Sequence, residues 1–286
     1  MKLHFEKYEG TGNDFVVVDA EHVPTGLDWH RLAPRLCDRH RGVGADGVLL
    51  LGPGERAPWR MRVFNADGSE PEMCGNGVRC AVRWWTDTGR RGPGLGPIET
   101  GAGIVHAEAL AAGDVRVAMG RPRWHRAALP ATGAADAELR DEPFTCGDVT
   151  LHFTAVSMGN PHAVAVVPDV AAVPLAAWGP RMETDPTFPA RTNVEFAQVL
   201  GPREASMRVW ERGAGPTQAC GTGACATLVV LARAGLLARE ATIHLPGGPL
   251  TVAWADDDEV WMTGEARQVF AGELALDRLV GAARVS

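Results

Sequence analysis

The chain repeats itself, and the repeat restricts its fold more than any other feature. The stretch "MRVFNADGSEPEMCGNGVRCAVRW", from Met61, aligns without a gap with "MRVWERGAGPTQACGTGACATLVV", from Met207, so that Cys74 falls on Cys220, 146 residues further on. Upstream, "TGNDFVVVDA" resembles "MGNPHAVAVV" and sets Asn13 against Asn160; downstream, "VRVAMG" resembles "EVWMTG". An internal period of this length means one structural plan used twice. The related units run near 1–120 and 148–265, and with 45% hydrophobic residues in 286 the chain has enough apolar side chains to bury a core.

Within each unit the periodicity is mainly that of strands. "FVVVD", "GVLLL", "RMRVF" and "VRVAM" are short apolar or β-branched runs bounded by Gly, Pro or Asp, and "AVAVV", "TNVEFAQV", "SMRVW" and "TVAWA" repeat them. Helical spacing follows each cysteine, in "VRCAVRWWTDTG" and "GACATLVVLARAGLL", each reaching a glycine as helices commonly do at their ends. "DWHRLAPRLCDRH" is a third helix candidate, interrupted by Pro34. Segments 90–97 and 126–147, rich in Gly, Pro and Ala, read as loops. The fold class expected is α/β (α+β): two pseudo-symmetric, strand-rich units.

Composition removes several functions. A formal charge of −7 and a pI near 5.7 argue against nucleic acid or an anionic membrane as partner. No segment has the length and apolarity of a membrane span, and "MKLHFEKYEG" does not read as a signal peptide, so a cytoplasmic protein is expected. Lys2 and Lys7 are the two lysines of the chain, poor candidates for a Schiff base with pyridoxal phosphate. The six cysteines, Cys37, Cys74, Cys80, Cys146, Cys220 and Cys225, are too scattered for a disulfide framework and too widely spaced in their pairs for a structural zinc site. No metal and no cofactor is expected, and the ligand left open is a small polar molecule.

Why a thiol stands beside a Gly-polar-Gly turn has a physical answer. A helix N-terminus carries unpaired N–H groups and a partial positive charge, which favour a thiolate at its mouth and a bound anion. The amides of Gly75-Asn76 and of Gly221-Thr222 are therefore candidate holders of a carboxylate. Two such units acting on one ligand suit inversion at carbon, one thiolate removing a proton while the opposing thiol delivers another.

The motifs "TGNDFVVVDA", "FNADGSEPEMCGNGVRC", "SMGNPHAV", "RTNVEF" and "VWERGAG…ACGTGACA" resemble those of the diaminopimelate epimerase family, in family order across residues 11–226. The resemblance implies two domains, each a barrel-like sheet around a central helix, with the active site between them, and interconversion of LL- and meso-diaminopimelate in lysine and cell-wall precursor synthesis. It implies an N-terminal domain of residues 1–118 joined by a returning segment 268–286, a second domain of 119–267, and a homodimer formed near "GEARQVFAGEL". It makes Cys74 and Cys220 the acid/base pair, with Gly75, Asn76, Gly221 and Thr222 holding the reacting carboxylate. Asn13, Asn65, Asn160, Asn193, Glu211 and Arg212 match positions that bind the substrate's amino and carboxylate groups, and His162 and Glu211 match residues that support the thiols. The chain departs from the pattern at Gly47, where many members carry glutamine, so that only its backbone is available to the ligand.

Plainer readings stand beside these. Cys80 and Cys225 lie one turn into their helices and read as buried apolar residues, and Cys37 and Cys146 have no motif around them. An asparagine after glycine is often a turn residue, and Glu211 with Arg212 would be worth only ~0–1 kcal/mol as a solvated pair. The rival functions are a proline or hydroxyproline racemase, an isomerase of the phenazine-biosynthesis type, an amino-acid-binding protein and a redox sensor joining Cys74 to Cys220.

Overall fold

The computed structural model describes residues 2–110 and 113–276. The first part of the chain supplies β1 (Lys2–Gly10), β2 (Asn13–Asp19), β3 (Gly47–Pro53), β4 (Trp59–Asn65), β5 (Gly94–Thr100), β6 (Gly103–Ala109) and β7 (Asp114–Ala118), with helices α1 (Trp29–Cys37) and α2 (Gly75–Asp87). There follow β8 (Glu142–Cys146), β9 (Val149–Ser157), β10 (Pro161–Val166), β11 (Asn193–Gly201), β12 (Glu204–Glu211), the short β13 (Gly215–Pro216), β14 (Glu240–Leu245), β15 (Gly248–Trp254) and β16 (Val260–Glu265), with α3 (Leu175–Glu183) and α4 (Gly221–Arg233). The last strand is β17 (Arg267–Ala275). The chain divides into two compact units, one running to Val117 and resuming at Gly264, the other Ala118–Thr263.

In the first unit the strands neighbour one another in the order β17, β1, β2, β3, β4, β5, β6, β7. The β2–β3 and β4–β5 pairs are parallel and the others antiparallel. In the second the order is β8, β9, β10, β11, β12, β14, β15, β16, with β10–β11 and β12–β14 parallel. The two patterns coincide strand for strand. A parallel pair needs a crossover, and helices fill those crossovers in the same places: α1 joins β2 to β3 as α3 joins β10 to β11, and α2 lies between β4 and β5 as α4 lies between β12 and β14. Equivalence also assigns β17 its role, since it pairs with β1 as β8 pairs with β9. Of the segment 268–286 expected to return, residues 277–286 lie outside the described residues.

The central strands of each unit are covered on both faces. Val16, Val18, Val48 and Leu50 point to one core with Trp29, Leu32 and Leu36 of α1, so the alternate residues of β2 and β3 turn the other way, toward α2. Likewise Ala163, Ala165, Val194 and Phe196 pack with Leu175 and Met182 of α3, which turns His162, Asn193 and Glu195 toward α4. Helix α2 touches β17, β1, β2, β3, β4 and β6, and α4 touches β9, β10, β11, β12, β14 and β15. A helix can reach strands that far apart in a sheet only if the sheet curls around it. Burial on both faces explains why β2, β3 and β10 read as continuous apolar runs rather than alternating ones.

Several local expectations are corrected. Helix α1 runs through Pro34 without interruption; proline there removes one bond, while Trp29, Leu32, Ala33, Leu36 and Cys37 are all buried and hold the turn on the core. Segment 90–97 contains the start of β5, whose ladder with β6 pairs Gly94 with Ala109 and Pro97 with His106. Pro97 is tolerated because β4 pairs only with Ile98 and Glu99, leaving that half of β5 bonded on one side. Segment 126–147 holds β8, paired with β9. Helix α3 escapes the sequence reading because it contains Gly179 and Pro180; the glycine is dictated by packing, a Cβ there falling 2.6 Å from the Trp210 ring.

Candidate active site

Cys74 is the N-cap of α2, and its Sγ accepts a hydrogen bond from Gly77 N at 3.4 Å. Cys220 caps α4 in the same way, its Sγ accepting from Gly223 N at 3.4 Å. Each thiol thus occupies the place where a serine or aspartate oxygen usually satisfies a free amide of the first turn. Gly75 and Asn76, like Gly221 and Thr222, are the first two residues of their helices, so their amides are among those with no intrahelical acceptor.

Around Cys74 the side chains are linked in a chain. Asn76 Nδ2 donates to Asn13 Oδ1 at 3.2 Å, and Asn13 Nδ2 donates to Asp46 Oδ2 at 2.9 Å. Asp46 and Asp14 both accept from Arg39, and Lys7 lies 2.6 Å from Asp14. Behind Asn76 stands Arg79, fully buried, with Nη2 donating to Asn76 Oδ1 at 2.7 Å. Gly47 opens β3 opposite Asn65 of β4. A Cβ on Gly47 would sit 2.8 Å from the Phe64 carbonyl and 3.3 Å from the Phe15 ring, which is the local reason for glycine. Asn65 Nδ2 donates to Ser69 Oγ at 2.9 Å.

Around Cys220 the surroundings are acidic. His162 and Glu195 are fully buried, with Nδ1 and Oε1 2.7 Å apart, and His162 Nε2 is 2.9 Å from Asn160 Oδ1. Asn193 Nδ2 donates to the Pro161 carbonyl at 2.8 Å, while its Oδ1 accepts from Arg212 N at 2.9 Å, so this amide holds the turn that carries Glu211 and Arg212. Burial pushes the Glu211 carboxyl up, opposed by the Thr217 hydroxyl that donates to it. Burial also raises the Cys220 thiol well above its usual value, with the Glu211 and Glu195 carboxylates adding to the rise. The Arg212 side chain is exposed. Cys80 and Cys225, fully buried in their helices, lie among the core residues.

Superposing the repeat makes the contrast specific. Leu49 in the first unit corresponds to Glu195 in the second, and Arg79 to Cys225. Cys74 therefore has a leucine beside its helix mouth and a cation one turn behind it, and Cys220 has two carboxylates near it. The sequence reading passes over Glu195, Arg79, Thr217 and Asp46, all of which touch or flank the expected residues. Glu195 carried one signal: a carboxylate inside the apolar run "TNVEFAQV", two residues from Asn193 and hence on the same face. Among the described residues no group of three or more His, Cys, Asp or Glu side chains could hold a metal ion, and no helix is long and apolar enough to cross a membrane.

The chain is an isomerase of the amino-acid epimerase class. It belongs to the diaminopimelate epimerase family, whose model matches residues 5–125 and 154–269. It is 48% identical over 282 residues to the diaminopimelate epimerase of Heliobacterium modesticaldum, covering 96% of this chain and 100% of that one. Among solved structures it resembles a Bacillus anthracis phenazine biosynthesis protein of the PhzF family at TM-score 0.70 and 16% identity, covering 96% of this chain and 99% of that one. It also resembles a probable proline racemase from Agrobacterium radiobacter, with bound carbonate, at TM-score 0.69 and 16% identity, over 96% and 93% of the two chains. These two likenesses establish the fold.

Proposed function

We propose that this protein interconverts LL- and meso-diaminopimelate by acid/base catalysis with Cys74 and Cys220 and without a cofactor. The observation that carries the reading is the matched capping geometry: each unit presents one thiol at a helix mouth, hydrogen-bonded to the third amide at 3.4 Å. In the direction that Cys74 begins, its thiolate takes the α-proton and Cys220, held as a thiol by burial and its carboxylate neighbours, returns a proton to the opposite face. The bonding pair left on the α-carbon is delocalised into the α-carboxylate, whose charge the amides of Gly75, Asn76, Gly221 and Thr222 receive. The reverse reaction exchanges the two roles.

The remaining side chains have assignments in this scheme. Asn13, Asn65, Asn160, Asn193 and the Glu211-Arg212 turn bind the amino and carboxylate groups, and the exposed Arg212 guanidinium suits the carboxylate at the distal end. Gly47 contributes backbone alone. His162, fixed by Glu195 and Asn160, supports the Cys220 side. Lys7 is engaged by Asp14 and the Gly44 carbonyl, and Lys2 by Glu273, so neither lysine is placed for a Schiff base. The reading carries with it a role in lysine and cell-wall precursor synthesis in the cytoplasm. It also carries a homodimer, for which exposed Val269 and Phe270 of β17 offer an apolar surface.

Incubation with diaminopimelate in heavy water tests the reading: one deuteron should enter the α-carbon for each inversion. Tight binding with no exchange would make the protein a binder, and exchange into proline in place of diaminopimelate would favour the racemase alternative.

A further inference from the structure

Arg79 is buried at two costs. Its side chain is wholly inside the first unit, yet its hydrogen-bond acceptors among the described residues are all neutral: Thr11 Oγ1 at 3.0 Å from both Nη atoms, the Glu265 carbonyl at 2.8 Å and Asn76 Oδ1 at 2.7 Å. Its Nε has no partner. Burying a guanidinium without a carboxylate is unfavourable, and arginine does not escape by losing its proton. The second cost lies at Thr11. The β1–β2 hairpin closes from Gly10 to Asn13 over Thr11 and Gly12, at φ 56° and 76°. A turn of this kind ordinarily takes Asn-Gly, and a β-branched residue at positive φ is strained. What threonine supplies is the hydroxyl that both Nη atoms use.

The charge so held lies on the fifth residue of α2, one turn behind Cys74 and the first amides of that helix. The titratable groups that act on it include Cys80 of its own helix, Cys74 at the cap, Glu9 at the end of β1 and Asp114 on β7; Asp14 acts on the neighbouring Cys80, and Glu9 is paired with Arg267 at 2.5 Å. Through Asn76 the guanidinium also fixes the amide that donates to Asn13. In the second unit the corresponding residue is Cys225, and α4 carries no cation before Arg233 at its far end.

We propose that Arg79 is a positioning residue for the Cys74 half of the reaction: its uncompensated charge favours the Cys74 thiolate, and its fork locks Asn76 and Asn13 in the orientation the substrate meets. This rests on the epimerase reading above, but its readout does not. Arg79→Gln removes the charge while leaving a polar, hydrogen-bonding side chain, and Arg79→Lys keeps the charge without the fork. Alkylation of Cys74 by iodoacetamide, followed by peptide mass mapping against pH with folding checked by circular dichroism, should move up by about one pH unit in Arg79→Gln, a tenfold slower reaction near neutrality. It should stay near wild type in Arg79→Lys, whose kcat falls about tenfold or more with KM little changed. A wild-type alkylation profile in folded Arg79→Gln overturns the proposal. If that variant does not fold, Arg79→Lys decides it, since a wild-type kcat there overturns it equally. Absence of turnover in the wild type would remove the epimerase reading and leave the alkylation result standing.

Discussion

Gly223 lies where the Glu195 carboxylate takes the space of a side chain: a Cβ on Gly223 would come within 2.7 Å of Glu195 Oε1 and 3.2 Å of Cys220 Sγ. The same position in the first unit, Gly77, faces Leu49 Cδ2 at 3.1 Å. One glycine in the repeated motif thus admits an acid beside one thiol and a leucine beside the other.

Alanine at these two positions should therefore act differently. In an open helix, Gly→Ala gains up to about 1 kcal/mol, whereas forcing a methyl into a packed site costs roughly 1–3 kcal/mol. At Gly223 the neighbour is a carboxylate already fixed 2.7 Å from His162, so it has little freedom to withdraw. Gly223→Ala is expected to be destabilised by about 1–2 kcal/mol in urea unfolding and to lose activity, with Gly77→Ala closer to wild type on both counts. Equal stability of the two variants would count against the assigned contact.

Replacing either capping thiol should separate chemistry from folding. Cys74→Ala and Cys220→Ala remove one hydrogen bond to an amide, a loss of about 1 kcal/mol, but epimerisation should fall by at least ~10²–10⁴-fold in each. Chiral chromatography of the product and a thermal melt measure the two effects. Near-normal turnover in either variant would remove the two-thiol mechanism.

The acidic side of the site makes Cys220 a poor nucleophile at neutral pH. Burial is the main cause of its raised value, and Glu211 and Glu195 add to it. Both act against the thiolate, so alkylation of Cys220 should rise only at strongly alkaline pH. Neutralising one carboxylate in Glu211→Gln should bring that rise to lower pH, while turnover drops because the group is also assigned to substrate. An unchanged alkylation profile would mean that burial alone sets the thiol.

The repeat in the sequence carried much of this. Cys74 and Cys220 fall on each other there, and the structure gives them the same cap. The strands marked by "FVVVD" or "AVAVV" were legible because both faces are buried, which leaves no polar positions to blur them. The return of β17 to β1 was legible only through the family resemblance, since the strand that completes the first unit lies beyond the repeat and pairs with a partner near the other end of the chain. Gly179 and Pro180 hid α3 because packing against Trp210 outweighed helix propensity. Arg79 and Glu195 were overlooked for one physical reason: periodicity reports apolar burial, and a charge buried for its effect on a thiol reads as an ordinary surface residue.

Asp14 offers a test through pH. Burial alone would raise its carboxyl, but hydrogen bonds from Arg39 and Lys7 prevail and hold it well below the usual carboxylate range. Between the lowered folded value and the unfolded value of about 3.9, the unfolded chain binds the extra proton, so stability rises with pH there. The contribution is complete above the unfolded value and disappears as pH falls through the folded one. In Asp14→Asn, buried Lys7 keeps the Gly44 carbonyl but loses its anion, a cost of about 1–3 kcal/mol at neutral pH. The gap in melting temperature between wild type and Asp14→Asn should accordingly be widest at pH 6–7 and narrow steadily below about pH 4. A gap that stays constant from pH 7 down to pH 3 would show that Asp14 acts through shape and not through its charge, and the chain of bonds from Lys7 to Asn13 would lose its electrostatic basis.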